Sequence, residues 1–195
     1  MKISIDIDGT ISDYPRYWLN FLNAYTVLDF VSTAEARQFL GKKEYEMIKL
    51  LWREGPENLI PVRDEFKELT HELYKNGCLV FVNSRRPYDQ IPLMREKNIN
   101  WLRNQGCKFE DIQVKTNSNL LNQNVECHID DEIEEALRIA ELDSIKKVFL
   151  LTEECKMSHR KQKYNKYGDK IVLANRFNIK DMVLSQLKRN KNAFE

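Results

Sequence analysis

Hydrophobic and polar positions follow two periods along this chain, and the two take turns. Ile3, Ile5 and Ile7 alternate with polar neighbours and predict a short N-terminal strand that runs out at Asp6, Asp8, Gly9 and Thr10. Residues 15 to 53 then carry helical spacing, through Trp18, Phe21, Leu22 and Tyr25 and again through Phe39, Leu40, Tyr45, Ile48, Leu51 and Trp52. No strand pattern interrupts them. Gly55, Pro56 and Pro61 close the block, and Val62 to Lys75 reads as an amphipathic helix through Phe66, Leu69 and Leu73 that stops at Asn76-Gly77. Cys78 to Val82 is an unbroken apolar run, the mark of a strand buried on both faces of a parallel sheet.

Beyond it the spacing predicts a helix from about Asp89 to Gln105, stopped by Gly106. Strands follow at Ile112 to Val114 and Val125 to Ile129, with a helix over 131 to 142 that opens on an acidic run suited to a helix N-terminus. Strands Lys147 to Leu151 and Ile171 to Leu173 come next, then a last helix from Ile179 to Leu187 and a polar tail, Lys188 to Glu195, expected to fray. Strands alternating with helices predict an α/β fold: a Rossmann-like parallel sheet with helices on both faces, carrying a helical insert after the first strand.

A chain of 195 residues supports one substantial core with a small insert, not two full domains. Its 31 basic and 30 acidic residues leave a net charge of +1, so no global field draws it to nucleic acid or a membrane, and an anionic ligand must be held by local geometry. No signal peptide and no apolar run of spanning length is legible, and Cys78, Cys107, Cys127 and Cys155 are widely spaced without a Cys-x-x-Cys pair. The expectation is a soluble, cytoplasmic protein with no structural zinc. No oligomeric state can be read.

The chemistry concentrates at strand ends. Asp6 and Asp8 alternate onto one side of the first strand, where like charges repel unless a cation or shared proton relieves them. That arrangement invites Mg²⁺, with one carboxylate free to attack phosphorus while the other shuttles a proton; a turn with an N-cap is the plain alternative. Ser84-Arg85, Lys115 and Asp130-Asp131 also fall at or just past strand ends, and ligands of open parallel sheets bind outside the carboxyl ends of the strands. Phosphoryl chemistry has a role for each: Asp6 the nucleophile, Asp8 the general acid and then base, Ser84 and Lys115 the phosphoryl-oxygen partners, Asp130 and Asp131 the further Mg²⁺ ligands.

Asp-x-Asp-Gly-Thr after the first strand, a strand ending in Ser, a lone Lys, and His-Ile-Asp-Asp ending a later strand resemble the haloacid dehalogenase (HAD) superfamily of phosphotransferases, across nearly the whole chain. The resemblance implies a Mg²⁺-dependent phosphatase working through an aspartyl-phosphate, with Asp6, Asp8, Asp130 and Asp131 at the metal and Ser84, Arg85 and Lys115 at the substrate. It also implies that residues 14–60 are a small helical cap over a core of residues 1–13 and 61–195. Ser84-Arg85-Arg86-Pro87 and the cap's position are similar to the 5'(3')-deoxyribonucleotidases and related nucleotidases, which implies a nucleoside monophosphate as the small phosphorylated substrate. Those enzymes often carry Arg after the Asp-Asp pair, where Glu132 stands here. A sugar phosphate, another small metabolite or a nucleic-acid end is the alternative substrate, and a non-catalytic binding protein the alternative class.

Several residues have competing readings. Only one of Arg85 and Arg86 can point inward ahead of Pro87, and Lys115 competes with Lys108 for the phosphate. His128, inside a strand, reads as a hydrogen-bonded core histidine before a ligand. Tyr17, Trp18, Phe21 and Tyr25 read as packing of the first insert helix, with stacking on a base the alternative. Lys156 to Lys170, basic with interleaved tyrosines, reads as a solvated loop before a polyanion contact.

Overall fold

A computed structural model describes residues 1–55, 60–152 and 165–192. Among the described residues, six strands form one sheet: β1 (Lys2–Ile5), β2 (Leu79–Ser84), β3 (Asp111–Val114), β4 (Cys127–Asp130), β5 (Lys147–Leu151) and β6 (Ile171–Ala174). All neighbours pair parallel in the order β3-β2-β1-β4-β5-β6. The helices are α1 (Tyr14–Thr26), α2 (Thr33–Glu54), α3 (Asp64–Lys75), α4 (Met94–Asn104), α5 (Asn117–Asn122), α6 (Ile133–Ala140) and α7 (Ile179–Asn192). This is the expected doubly wound α/β fold.

Both faces of the sheet are covered, and β5 shows it residue by residue. Phe149 and Leu151 join a large buried cluster with Ile3, Ile5, Phe66 and Leu69, whereas Val148 and Leu150 join a second with Leu120, Ala136 and Ile139 of α5 and α6. Successive side chains on a strand point to opposite faces, so the two clusters are the two sides of the sheet. The aromatic interior of α1 and α2 is continuous with the larger cluster. Trp18 packs on the rings of Tyr45 at 5.5 Å and Trp52 at 5.4 Å, and its indole N–H donates to the Tyr45 hydroxyl at 2.8 Å. The chain leaves the sheet at Ser12 and returns at Val62, and those two residues bridge antiparallel, tying the insert at its base.

Several boundaries differ from expectation. The helix expected from Asp89 begins only at Met94, because Pro92 disfavours helical geometry at Ile91 and Leu93 takes a left-handed φ of 60°. The last helix continues through Lys188 to Asn192 instead of fraying after Leu187, since Lys188, Arg189 and Lys191 are good helix formers that extend an already nucleated helix. α5 was not legible, being one short turn capped by the Thr116 hydroxyl, which accepts from the Asn119 N–H at 3.1 Å. Helix α2 breaks at Gly41, whose φ of 76° no helix accommodates. Cys155, His159 and most of the basic stretch from Lys156 lie outside the described residues. Among those described, no helix is long and apolar enough to cross a membrane.

Candidate active site

The chain order of the strands reverses on either side of β1, and the residues singled out in the sequence meet at the carboxyl ends of β1 to β4. Register does much of this. Ile5 lies opposite Ile129, and the Asp6 N–H donates to the Ile129 carbonyl at 3.0 Å, which sets Asp6 beside Asp130. Ser84 lies opposite Val114, and the Lys115 N–H donates to the Ser84 carbonyl at 2.9 Å, which sets Lys115 just beyond. Gly9 turns the chain over this end with a φ of 86° and lies so near Asp131 that a Cβ there would sit 2.0 Å from a carboxylate oxygen.

Lys115 is buried and donates to Asp6 Oδ1 at 2.9 Å and Asp130 Oδ2 at 2.7 Å. Burial alone would lower its pKa, but Asp6 and Asp130 outweigh burial and raise it. Lys108 is exposed. Burial first, then the charge of Asp130, push the Asp6 carboxyl well above its ordinary range. The same two causes, in the same order, lift Asp131 to about 7. Burial would also raise Asp130, but the hydrogen bond and charge of His128 and the charge of Lys115 prevail and hold it down at about 2.

Among the described residues, one group of His, Cys, Asp or Glu side chains can share a metal ion, and it is Asp6, Asp130 and Asp131, with ligand oxygens all within 4.8 Å of one another. Three crowded carboxylates, with Asp6 and Asp131 of raised pKa, and an all-oxygen donor set fit a hard divalent cation. Asp8, expected with them, stands apart. Its Oδ1 accepts from Arg86 at 2.6 Å and its Oδ2 from Arg53 at 3.1 Å. Burial pushes Asp8 up, yet Arg86 and then Arg53 bring it down to about 2.

Ser84 is buried at the end of β2, and its Oγ has no hydrogen-bond partner among the described residues. Of the two arginines after it, Arg86 points inward, under the Trp101 ring at 5.3 Å, and donates to Asn98 at 2.8 Å as well as to Asp8. Arg85 stays half-exposed at the rim and pairs with buried Glu135. Asp6, Asp8, Ser84, Arg85, Lys115 and Asp131 all face one cleft of about 460 Å³.

Sequence reasoning missed the insert's share of this cleft. Lys49 and Arg53, one turn apart on α2, face it together with Tyr14, and stand over the Tyr14 ring at 5.3 and 5.8 Å. Like charges four residues apart on one helix face are unfavourable without an anion between them, a signal visible in principle in the sequence. Burial, then Arg53, lower the pKa of Lys49. Arg63 was missed as well: it donates to the carbonyls of Gly9 at 2.6 Å and Thr10 at 3.0 Å, holding the turn. By contrast, Tyr17, Trp18, Phe21 and Tyr25 are not among the residues lining the cleft; Trp18 and Phe21 stack on each other at 6.0 Å.

A six-stranded, doubly wound parallel sheet with helices on both faces defines a class of fold, and solved structures share it. A HAD family hydrolase from Deinococcus radiodurans, solved with bound phosphate and sodium, is 10% identical, with a TM-score of 0.56 over 91% of this chain and 92% of that one. A phosphonoacetaldehyde hydrolase-like protein from Oleispira antarctica is 14% identical, with a TM-score of 0.61 over 96% and 92%. A HAD-superfamily hydrolase from Ehrlichia chaffeensis is 14% identical, with a TM-score of 0.54 over 95% and 97%. No family model and no curated protein matches the sequence. The architecture is therefore that of the HAD-superfamily hydrolases, a likeness of fold.

Proposed function

We propose that this protein is a Mg²⁺-dependent phosphomonoesterase acting through an aspartyl-phosphate on Asp6. The observation that carries the reading is that Ser84 and Lys115 face the same cleft as Asp6. A buried hydroxyl without a partner among the described residues and a buried ammonium share the cleft with Asp6, the carboxylate best placed to attack, and a phosphoryl group would satisfy both. Asp6, Asp130 and Asp131 would hold Mg²⁺, which when bound supplies charge against the phosphoryl oxygens and keeps Asp6 ionised.

On this reading Ser84 and Lys115 orient the phosphoryl group, and the free oxygen of Asp6 attacks phosphorus in line. Asp8 protonates the leaving oxygen, then takes a proton from the water that hydrolyses the aspartyl-phosphate. An acid held at about 2 is too strong to stay protonated, so the two arginines on Asp8 must share their hold. Arg53 belongs to the insert, and a phosphate dianion entering the cleft offers it a second acceptor, which relaxes its grip on Asp8. The insert, residues 14–60, thus acts as a cap whose cations meet the substrate. Arg85, tied to Glu135, borders the entrance.

The substrate class we propose is a nucleoside monophosphate. The cleft volume of about 460 Å³ and the Tyr14 ring on its wall support it, beside the Ser84 to Pro87 resemblance. A second reading, a small phosphorylated metabolite such as a sugar phosphate, is favoured by the two cations already covering that ring. A turnover panel of nucleotides and sugar phosphates separates the two. The test of the reaction itself is hydrolysis of p-nitrophenyl phosphate: activity with Mg²⁺, loss in EDTA, recovery on adding Mg²⁺, and no turnover by folded Asp6→Asn. A variant retaining more than about a tenth of native activity would rule out Asp6 as nucleophile.

A further inference from the structure

His128 is a buried titratable side chain that the mechanism leaves unused. It sits in the middle of β4, fully buried, with both ring nitrogens engaged. Nε2 lies 2.9 Å from Asp130 Oδ2, and Nδ1 lies 2.9 Å from Ser4 Oγ on the neighbouring strand β1. Ser4 Oγ in turn accepts from Asn83 Nδ2 of β2 at 2.9 Å, and the same amide reaches Gln123 at 3.1 Å. The directions of these bonds follow from one fact. Asp130 carries a carboxylate, which only accepts, so His128 Nε2 carries the proton.

Three strands therefore contribute to one line of hydrogen bonds that ends on a carboxylate oxygen beside Asp6. Asp130 Oδ2 receives both His128 and Lys115, and its Oδ1 receives the Glu132 N–H at 2.9 Å, so neither oxygen is free to swing. We propose that His128 is a positioning residue for the cation site: its Nε2–H fixes the Asp130 carboxylate in the orientation that Mg²⁺ requires. The inference rests on the reading of Asp6, Asp130 and Asp131 as the ligand set. Groups that hydrogen-bond a metal's ligands fix their orientation, and their loss weakens binding about ten- to a hundredfold.

Two substitutions of similar polarity separate positioning from core packing. In His128→Gln the amide nitrogen can stand where Nε2 stood and still donate to Asp130. In His128→Asn the shorter side chain reaches only the Ser4 end. Calorimetric titration with MgCl₂ alone, without substrate, reads the affinity of each, beside native protein and Asp130→Asn, with melting temperatures measured in EDTA. Expected are native-like affinity for His128→Gln and about ten- to a hundredfold weaker binding for His128→Asn, whatever their melting temperatures. If native protein binds Mg²⁺ and Asp130→Asn weakens it, but His128→Asn binds like native, the positioning role is overturned and the ligand set stands. If His128→Gln is as weak as His128→Asn, donation to Asp130 is not what matters, and the role is likewise overturned. If native protein binds no Mg²⁺, or Asp130→Asn binds unchanged, the ligand set itself fails and the positioning role with it.

Discussion

Replacing Asp131 by Asn changes one atom type in a packed site and should make the metal-free protein more stable. Asp131 is wedged against Gly9, accepts from the Thr10 hydroxyl at 3.2 Å, and is lifted to about 7 by burial and then by Asp130. In the unfolded chain it titrates near 3.8. A group whose folded pKa is raised adds stability below its unfolded pKa and loses it as pH rises through the folded one. This carboxylate therefore weakens the fold progressively from about pH 4 to pH 7, and the cost is constant above. A difference of about three units corresponds to roughly 4 kcal/mol, and the partial solvent access of Asp131 reduces that to about 2–3 kcal/mol.

Asn keeps the oxygen that accepts from Thr10 and never ionises, so Asp131→Asn escapes the penalty. Urea unfolding in EDTA at pH steps from 4 to 8 should show the two proteins close together at pH 4 and the variant about 2–3 kcal/mol more stable at pH 8. Adding Mg²⁺ should narrow the gap, because a cation at a hundred times its dissociation constant stabilises native protein by about 2.7 kcal/mol and the variant by less. A variant less stable than native at pH 8 in EDTA, or a gap that does not change with pH, would refute the reasoning.

Lys115→Ala should lower p-nitrophenyl phosphate turnover about a hundredfold, on the order of 3 kcal/mol, because it removes a preorganised charge from the phosphoryl group. Lys108→Ala, at an exposed position, should change stability by less than about 0.5 kcal/mol and leave turnover intact; the opposite pattern would move the phosphate to Lys108. Asp8→Asn should slow hydrolysis of a nucleoside monophosphate far more than that of p-nitrophenyl phosphate, whose leaving group scarcely needs a proton, and equal losses would remove Asp8 from the acid role. Gly9→Ala should cost about 1–3 kcal/mol from its left-handed φ, and more where the new Cβ displaces Asp131; chemical denaturation reads the loss, and a neutral result would mean the turn can rearrange.

Much of this architecture is legible in the chain itself. Parallel strands buried on both faces must be nearly all apolar, so Cys78 to Val82 and Lys147 to Leu151 declare themselves, and a polar residue ending such a run has few reasons to be there other than chemistry. That local logic singles out Asp6, Asp8, Ser84, Lys115, Asp130 and Asp131, which the fold gathers at one end of the sheet. What it could not supply is pairing across distance. Whether Arg85 or Arg86 turns inward depends on Trp101 and Asn98 waiting beneath one of them and Glu135 beside the other. Asp8 looks in sequence like a fourth metal ligand, and only the folded chain brings Arg53 across from α2 and Arg86 from beyond β2 to occupy both its oxygens. His128 reads locally as core; its bond to Asp130 is local, but the bonds that orient it run through Ser4 and Asn83 on two other strands. Hydrophobic period is written along the chain because neighbours in sequence share a face, whereas a carboxylate's charge state is set by whatever the tertiary fold places within a few ångströms of it.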